Sequence, residues 1–177
     1  MMYYGAKELA ASFKQVRGNT IRIAEDVPED RYDFRASPDT RSIGEMLTHI
    51  ALGAAFQSHV HVNRIDDLKK VNFTELVATM KAEEAKPRSK AEIVRLLESE
   101  RDKFAAYLVS LPESFLAEPV LMPPGGQPTK SRLEMLLSVK EHEMHHRGQL
   151  MLMERMIGIV PHITRQRLEQ MAQRQSA

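Results

Sequence analysis

Three short stretches of the sequence carry the signature of a helix N-terminus, and they constrain the fold more than any other feature. Each begins with Ser and has Glu three residues later: SIGE at residues 42–45, SKAE at 89–92 and SRLE at 131–134. In such a capping box the Ser side chain accepts from a backbone N–H of the first turn, and the Glu carboxylate accepts from the backbone N–H of the Ser. Apolar residues at helical spacing follow each box. The chain is therefore predicted to start a new helix at all three places.

The helices are separated by breaks rich in proline. We predict four long helices and a short tail helix: Ala6 to Asp26, Ser42 to about Val62, Ser89 to the stop at Pro112, Ser131 to about Ile157, and Thr164 to Ala172. Residues 63–88 are less regular, with a short helix starting near NFTEL, and residues 116–130 suggest a loop with a short hairpin. This pattern predicts an all-α four-helix bundle in one domain spanning residues 1–177, with a long connection between helices 2 and 3 and a short C-terminal helix.

Composition excludes several classes of protein. The 25 Lys and Arg nearly balance the 24 Asp and Glu, giving a formal net charge of +1, so charge gives no reason to expect a nucleic-acid or membrane-surface partner. With no Cys, the chain has no disulfides, no thiolate metal ligands and no Cys nucleophile. We find no apolar run long enough to cross a bilayer and no signal peptide, and therefore expect a cytoplasmic protein.

The stretch KEHEMHHRGQL, residues 140–150, places two histidines one helical turn apart. His142 and His146 stack on one face of the fourth helix, and Met135, Met153 and Met156 fall on the same face. Buried imidazoles need hydrogen bonds or a metal. Two interpretations stay open: core histidines bonded to neighbours such as Ser138 and Gln149, or ligands of one metal ion.

A third histidine on another helix would favour the metal interpretation, because open metal sites commonly use three protein ligands. His49 is the best candidate, at the margin of the second helix's apolar stripe. Gly53, one turn later, would allow another helix or a ligand to approach closely. We expect the remaining histidines outside this group, at 59, 61 and 162, to lie in solvent, and His145 to lie near the edge of the fourth helix's inner face.

The same stretch also satisfies the short metalloprotease motif H-E-x-x-H, with Glu143 as the general base. The longer form of that motif fails, because Gln149 stands at its Gly position and Leu152 at its third His position. Glu143 is also predicted to project about 100° from His142, away from the inner face. A protease is therefore the weaker interpretation.

Three stretches resemble the DinB-like proteins, also called YfiT-like metalloenzymes: RSIGEMLTHI at 41–50, KAEEAKPRSKAEIVRLL at 81–97 and EHEMHHRGQL at 141–150, with its H-x-x-x-H-R-G-Q pattern. The resemblance runs from about residue 6 to residue 160. It implies that His49, His142 and His146 bind one divalent metal ion inside the bundle, with water completing the shell. Three imidazoles and no thiolate suit Ni²⁺, Zn²⁺ or Fe²⁺ better than Mg²⁺ or Ca²⁺.

The resemblance implies several functions. Some relatives are thiol-dependent transferases or isomerases, some are proposed hydrolases, and many have no known activity. We favour a metal-dependent S-transferase that uses a low-molecular-weight thiol and a small-molecule substrate, and the resemblance implies a homodimer. The alternatives are a metal-dependent hydrolase, a non-catalytic metal-binding or stress-response protein, and a helical interaction module without metal. Gln149 is predicted either to orient a ligand or bound water, or only to bond a neighbour; Arg147 is predicted to lie on the surface.

Overall fold

A computed structural model describes residues 4–175; residues 1–3 and 176–177, the ends of the predicted domain, lie outside the described part. The helices and strands are, in chain order, α1 Ala6–Asp26, α2 Ile43–Leu52, α3 Ala55–Val62, α4 Phe73–Glu84, α5 Lys90–Ser110, α6 Glu113–Leu116, β1 Pro119–Leu121, β2 Thr129–Ser131, α7 Arg132–Met156 and α8 His162–Gln175. The prediction of an all-α fold is confirmed. β1 and β2 pair antiparallel, with Pro119 opposite Ser131, and form the predicted short hairpin.

The predicted caps start α2, α5 and α7. Ser42 accepts from the backbone N–H of Glu45 and its own N–H donates to the Glu45 carboxylate, at 3.2 and 2.9 Å. Ser89 makes the same reciprocal pair at α5. At α7 only the first half forms: Ser131 caps the helix, while the Glu134 carboxylate lies 3.2 Å from Lys130 Nζ. The sequence pattern therefore fixes all three helix starts.

The second predicted helix is not continuous. α2 ends at Leu52 with Gly53 as its C-cap, and α3 begins at Ala55. A Cβ on Gly53 would lie 3.2 Å from the carbonyl oxygen of Ile50 and 3.4 Å from Nδ1 of His142 on α7. The helix therefore breaks where the ring of His142 on α7 packs against it, and the absence of a side chain at Gly53 leaves room for this contact.

The packing of the helices brings α2 and α7 together. α1 and α2 each pack against both α5 and α7, and α4, inside the long connection, packs against α2. One group of buried apolar residues includes Ile43, Leu47 and Leu150, and another includes Phe13 and Leu136. The predicted number of four helices in the bundle stays a prediction, because the predicted second helix is divided into α2 and α3.

The buried face of α7 differs from the predicted one. Met135, Val139, Glu143, His146, Leu150 and Met153 are buried, a series with steps of three and four residues. Met156, predicted to fill the core, has 51% of its surface exposed. The buried face is therefore centred nearer Glu143 than His142. Glu143 can be buried because the guanidinium of Arg17 on α1 pairs with its carboxylate.

No helix within residues 4–175 has the length and apolarity that crossing a bilayer requires.

Candidate metal centre

The three predicted ligands meet in the structure. His49 comes from α2, and His142 and His146 come from α7. The Nε2 atom of His142 lies 3.1 Å from Nε2 of His49 and 3.1 Å from Nε2 of His146. One ligand atom from each residue lies within 4.8 Å of the others. Two nitrogens bound to one ion at about 2.0–2.1 Å with a tetrahedral angle would lie roughly 3.3 Å apart. The spacing therefore fits a shared cation.

Hydrogen bonds on the far side of two rings fix which nitrogen faces the cluster. Nδ1 of His49 lies 2.8 Å from Oε1 of Glu84, and Nδ1 of His146 lies 2.7 Å from Oε1 of Gln149. Both oxygens are acceptors, so each Nδ1 carries the proton and each Nε2 has its lone pair free. The single Nε2 of His142 can donate to only one of these two lone pairs. A cation would satisfy all three nitrogens.

Burial favours the neutral form of His142 and His146. Burial, aided by the neighbouring His146 and His49, lowers the pKa of His142 to about 4. Burial also lowers the pKa of His146, against the opposing hydrogen bond to Gln149. Neutral imidazoles are the form that binds metal.

Glu84, the last residue of α4, lies against His49 and was not among the residues predicted for the site. Its second oxygen, Oε2, lies 3.7 Å from Nη2 of Arg41. The same carboxylate therefore contacts both the ring of His49 and the guanidinium of Arg41. The resemblance included the stretch that contains Glu84 but assigned it no role. Only the packing of α4 on α2 brings it to His49.

Glu143, next to His142 in sequence, is buried on α7 with its carboxylate bonded to α1. Its carboxylate accepts from Nε of Arg17 at 2.9 and 3.0 Å and from the hydroxyl of Thr20 at 2.7 Å, and its side chain is 1% exposed. The prediction that Glu143 projects away from the core is therefore wrong, because Arg17 compensates its charge. A carboxylate held this way does not face the cluster as a protease base would.

Arg17 joins the elements that carry the three histidines. Its Nη2 donates to the carbonyl oxygen of Ile50, next to His49, at 2.8 Å. Its Nη1 donates to the carbonyl oxygen of Leu97 on α5 at 3.3 Å. One guanidinium therefore contacts α2, α5 and α7 from α1.

Two cavities reach the cluster. The larger, about 650 Å³, is lined by His146 and Gln149 together with Arg41 and Met46. The smaller, about 360 Å³, is lined by His49 and His142, with walls that include Gly53, Phe56, Met80 and Val139. Gln149 is exposed on its outer side, so its amide both bonds His146 and faces the larger cavity.

Other predictions for polar side chains have mixed outcomes. His59 is exposed as predicted, and His145 is exposed with its ring 4.9 Å from that of His146. The predictions for His61 and His162 are wrong, since both are buried. Nδ1 of His61 lies 3.2 Å from Nη1 of Arg132, and Nε2 of His162 lies 3.2 Å from Oδ1 of Asn19.

Arg147 is partly buried, with its Nη1 enclosed, and is therefore not the surface residue we predicted. Helical spacing indicated that it faces away from the histidines, but not that its guanidinium is partly enclosed.

Comparisons with known proteins found a family model and solved structures that match this chain. The model of the DinB superfamily matches residues 12–150. Solved structures that match include a DinB-like protein, YjoA, from Bacillus subtilis, with 19% sequence identity and a TM-score of 0.63 over 85% of this chain and 92% of that one. At this identity the likeness shows the fold alone. The search of curated proteins found no match.

Proposed function

This chain belongs to the DinB superfamily, and from that premise we propose that it is a metal-dependent enzyme of the thiol-dependent S-transferase type. His49, His142 and His146 would hold one divalent ion, and Ni²⁺, Zn²⁺ or Fe²⁺ suits three neutral imidazoles best. One observation carries the proposal. The three Nε2 atoms converge while the Nδ1 atoms of His49 and His146 are occupied by Glu84 and Gln149.

A divalent ion with an open position supplies Lewis acidity, which lowers the pKa of a bound thiol or water and produces a nucleophile near neutral pH. The protein's own groups provide the rest. Glu84 keeps the proton of His49 on Nδ1 and fixes the ring, and Gln149 does the same for His146. The Gln149 amide also has hydrogen-bonding capacity toward the larger cavity, where it can orient a bound molecule.

Two features favour transfer over hydrolysis. The cavities of about 650 and 360 Å³ approach different histidines, so two molecules could reach the cluster from different sides, as a two-substrate reaction requires. The chain also has no Cys, so a thiol nucleophile would have to come from a small-molecule cofactor. A hydrolase needs only one organic substrate and water, so only one of the two cavities would be needed to bind a substrate.

A non-catalytic metal-binding or stress-response protein is the second candidate. A storage or structural site is expected to be closed by side chains. The direct contact of His146 with a cavity of about 650 Å³ argues against a closed site.

The first experiment measures metal directly. His142→Ala should lose bound metal by elemental analysis of the purified protein, while His145→Ala should keep the wild-type metal content. His145 is a matched control because it is the neighbouring histidine on the same helix and is exposed outside the cluster. Equal metal content in the His142 variant and the wild type would reject the site.

The second experiment tests the reaction. The wild-type protein is incubated with an aryl chloride and each of several low-molecular-weight thiols, with and without a chelator, and conjugation is measured. We expect a thiol-dependent rate that the chelator removes. A metal-replete protein that conjugates no thiol but hydrolyses ester probes would support the hydrolase, and one that does neither would support the non-catalytic alternative.

A further inference from the structure

Arg41 is distinctive among the cavity-lining side chains because its donors are not used up by the described residues. The other arginine of the larger cavity, Arg35, donates to the carbonyl oxygen of Thr40 and, at 2.7 Å, to the carboxylate of Glu45, which its second Nη also contacts. Arg41 forms a long ion pair, with its Nη2 3.7 Å from Oε2 of Glu84, but this distance is beyond hydrogen-bond range, and the Arg41 side chain is 44% exposed.

A guanidinium whose N–H donors are still available on the wall of a cavity is a recognition group for a planar anion. Its paired N–H groups match the two oxygens of a carboxylate. The charges around it favour a monoanion: Asp39 and Glu45 also line the cavity, and Glu84 lies 3.7 Å from Nη2 of Arg41. A dianionic phosphate would be repelled by these carboxylates, and Arg41 alone would offer it hydrogen-bond donors that are not already used, so a carboxylate fits better.

The rest of the larger cavity is suited to hydrocarbon. Met46, Leu152 and Met153 line it, and methionine walls adapt to chains of varied shape. Its volume of about 650 Å³ is in the range of small-molecule sites. His146 and Gln149 line the same cavity, so a molecule held at Arg41 can extend toward the cluster.

We propose that the larger cavity binds a small molecule that carries a carboxylate on an apolar chain, with Arg41 holding the carboxylate and Met46, Leu152 and Met153 covering the chain. The inference rests on the proposed function, because it names the substrate class of the same site. It concerns residues of this chain alone, however, and its binding test does not depend on the metal.

The test uses hexanoate as the probe and hexanamide as its neutral analogue. Each is titrated into the full-length protein labelled with ¹³C on the methionine methyl groups, before and after chelator treatment. The signals of Met46 and Met153 are assigned by Met→Leu substitutions. We expect both signals to shift, with hexanoate binding about tenfold more tightly than hexanamide, as expected for a charged hydrogen-bonded pair.

Arg41→Gln should abolish the preference for hexanoate. Arg22→Gln is the matched control, since it removes the same charge from an exposed arginine on α1 that pairs with Glu25, and it should keep the preference. Equal binding of the two probes to the wild type, or an unchanged preference in Arg41→Gln, would overturn the proposal. A preference that exists only before chelation would also overturn it, because the metal would then hold the carboxylate. That last outcome would leave the proposed metal centre intact, and elemental analysis of the same samples tests the centre separately.

Discussion

Nε of Arg17 on α1 lies 2.9 Å from Oε1 of Glu143 on α7, and both side chains are 1% exposed. In sequence Glu143 stands beside His142, and Arg17 bonds the carbonyl oxygen beside His49. The buried ion pair therefore connects the two helices that carry His49, His142 and His146. A fully buried ion pair contributes little net stability compared with apolar residues of similar size, but removing one partner leaves an uncompensated charge.

Arg17→Met should destabilise the protein by about 3–5 kcal/mol, because the Glu143 carboxylate stays buried without its partner. Urea denaturation measures the loss. Arg132→Met is the matched control: Arg132 is also buried and lies 2.9 Å from a carboxylate, Glu118, but that carboxylate is 37% exposed. We expect a smaller loss there, and an equal loss would contradict the argument from burial.

The double variant Arg17→Met with Glu143→Leu distinguishes the effect of the ion pair on protein stability from its effect on the positions of the histidines. Its free energy of unfolding should return close to the wild-type value, since no buried charge stays unpaired. Its metal affinity should still fall, because the bonds that fix α2 relative to α7 are gone. Competition with a chromogenic chelator measures the affinity, and wild-type affinity in this variant would show that the ion pair does not position the histidines.

Glu84→Ala should lower metal affinity by about 10–100-fold, because His49 loses the group that orients its ring and fixes its proton on Nδ1. Glu83→Ala is the control one position earlier. Glu83 pairs with Lys86 and Arg88 rather than with a histidine. Its metal affinity should match the wild type, and a comparable loss in both variants would point to a general effect of disturbing α4.

Gly53→Ala should weaken metal binding, because the new Cβ would press against the carbonyl oxygen of Ile50 and the ring of His142. Gly18→Ala, in the interior of α1 with no atom within 4 Å of the added Cβ, should instead stabilise the protein by roughly 0.5–1 kcal/mol through helix propensity. Metal titration and thermal unfolding of both variants test the contrast. Unchanged metal affinity in the Gly53 variant would show that α2 and α7 have room to separate.

Stability should fall as pH rises, because of Glu154. Its side chain is buried, neither oxygen has a hydrogen-bond partner among the described residues, and burial, aided by Asp26, raises its pKa to about 7. The folded state therefore holds the proton more tightly than the unfolded state, whose carboxyl titrates near 4.5. The stabilisation is complete below pH 4.5 and is lost as pH rises through about 7.

Glu154→Gln removes this titration. Between pH 4.5 and pH 8, the wild type should lose on the order of 3 kcal/mol of unfolding free energy that the variant retains. Urea denaturation at several pH values measures the difference between the two proteins. Parallel pH profiles would show that Glu154 has the same pKa in the folded and unfolded states.

Part of the candidate site can be predicted from the sequence. The four-residue spacing of His142 and His146 indicates that they share a face of one helix, and the capping patterns predict where α2, α5 and α7 start. The pattern of the second helix makes His49 the best third candidate, and the resemblance implies the same residue. The hairpin before α7 follows from the prolines and glycines of its turn. All of these features depend on residues close together in the chain.

Only the tertiary structure decides the rest. Glu84 reaches His49 from 35 positions away, and Arg17 reaches Glu143 from 126 positions away. The same packing buries His61, which the sequence alone assigned to solvent, and divides the second helix at Gly53. Helical periodicity depends on the local geometry of the backbone and is visible in the sequence. The partner of each charged side chain depends on how separate helices pack, and no repeating pattern along the chain indicates this packing.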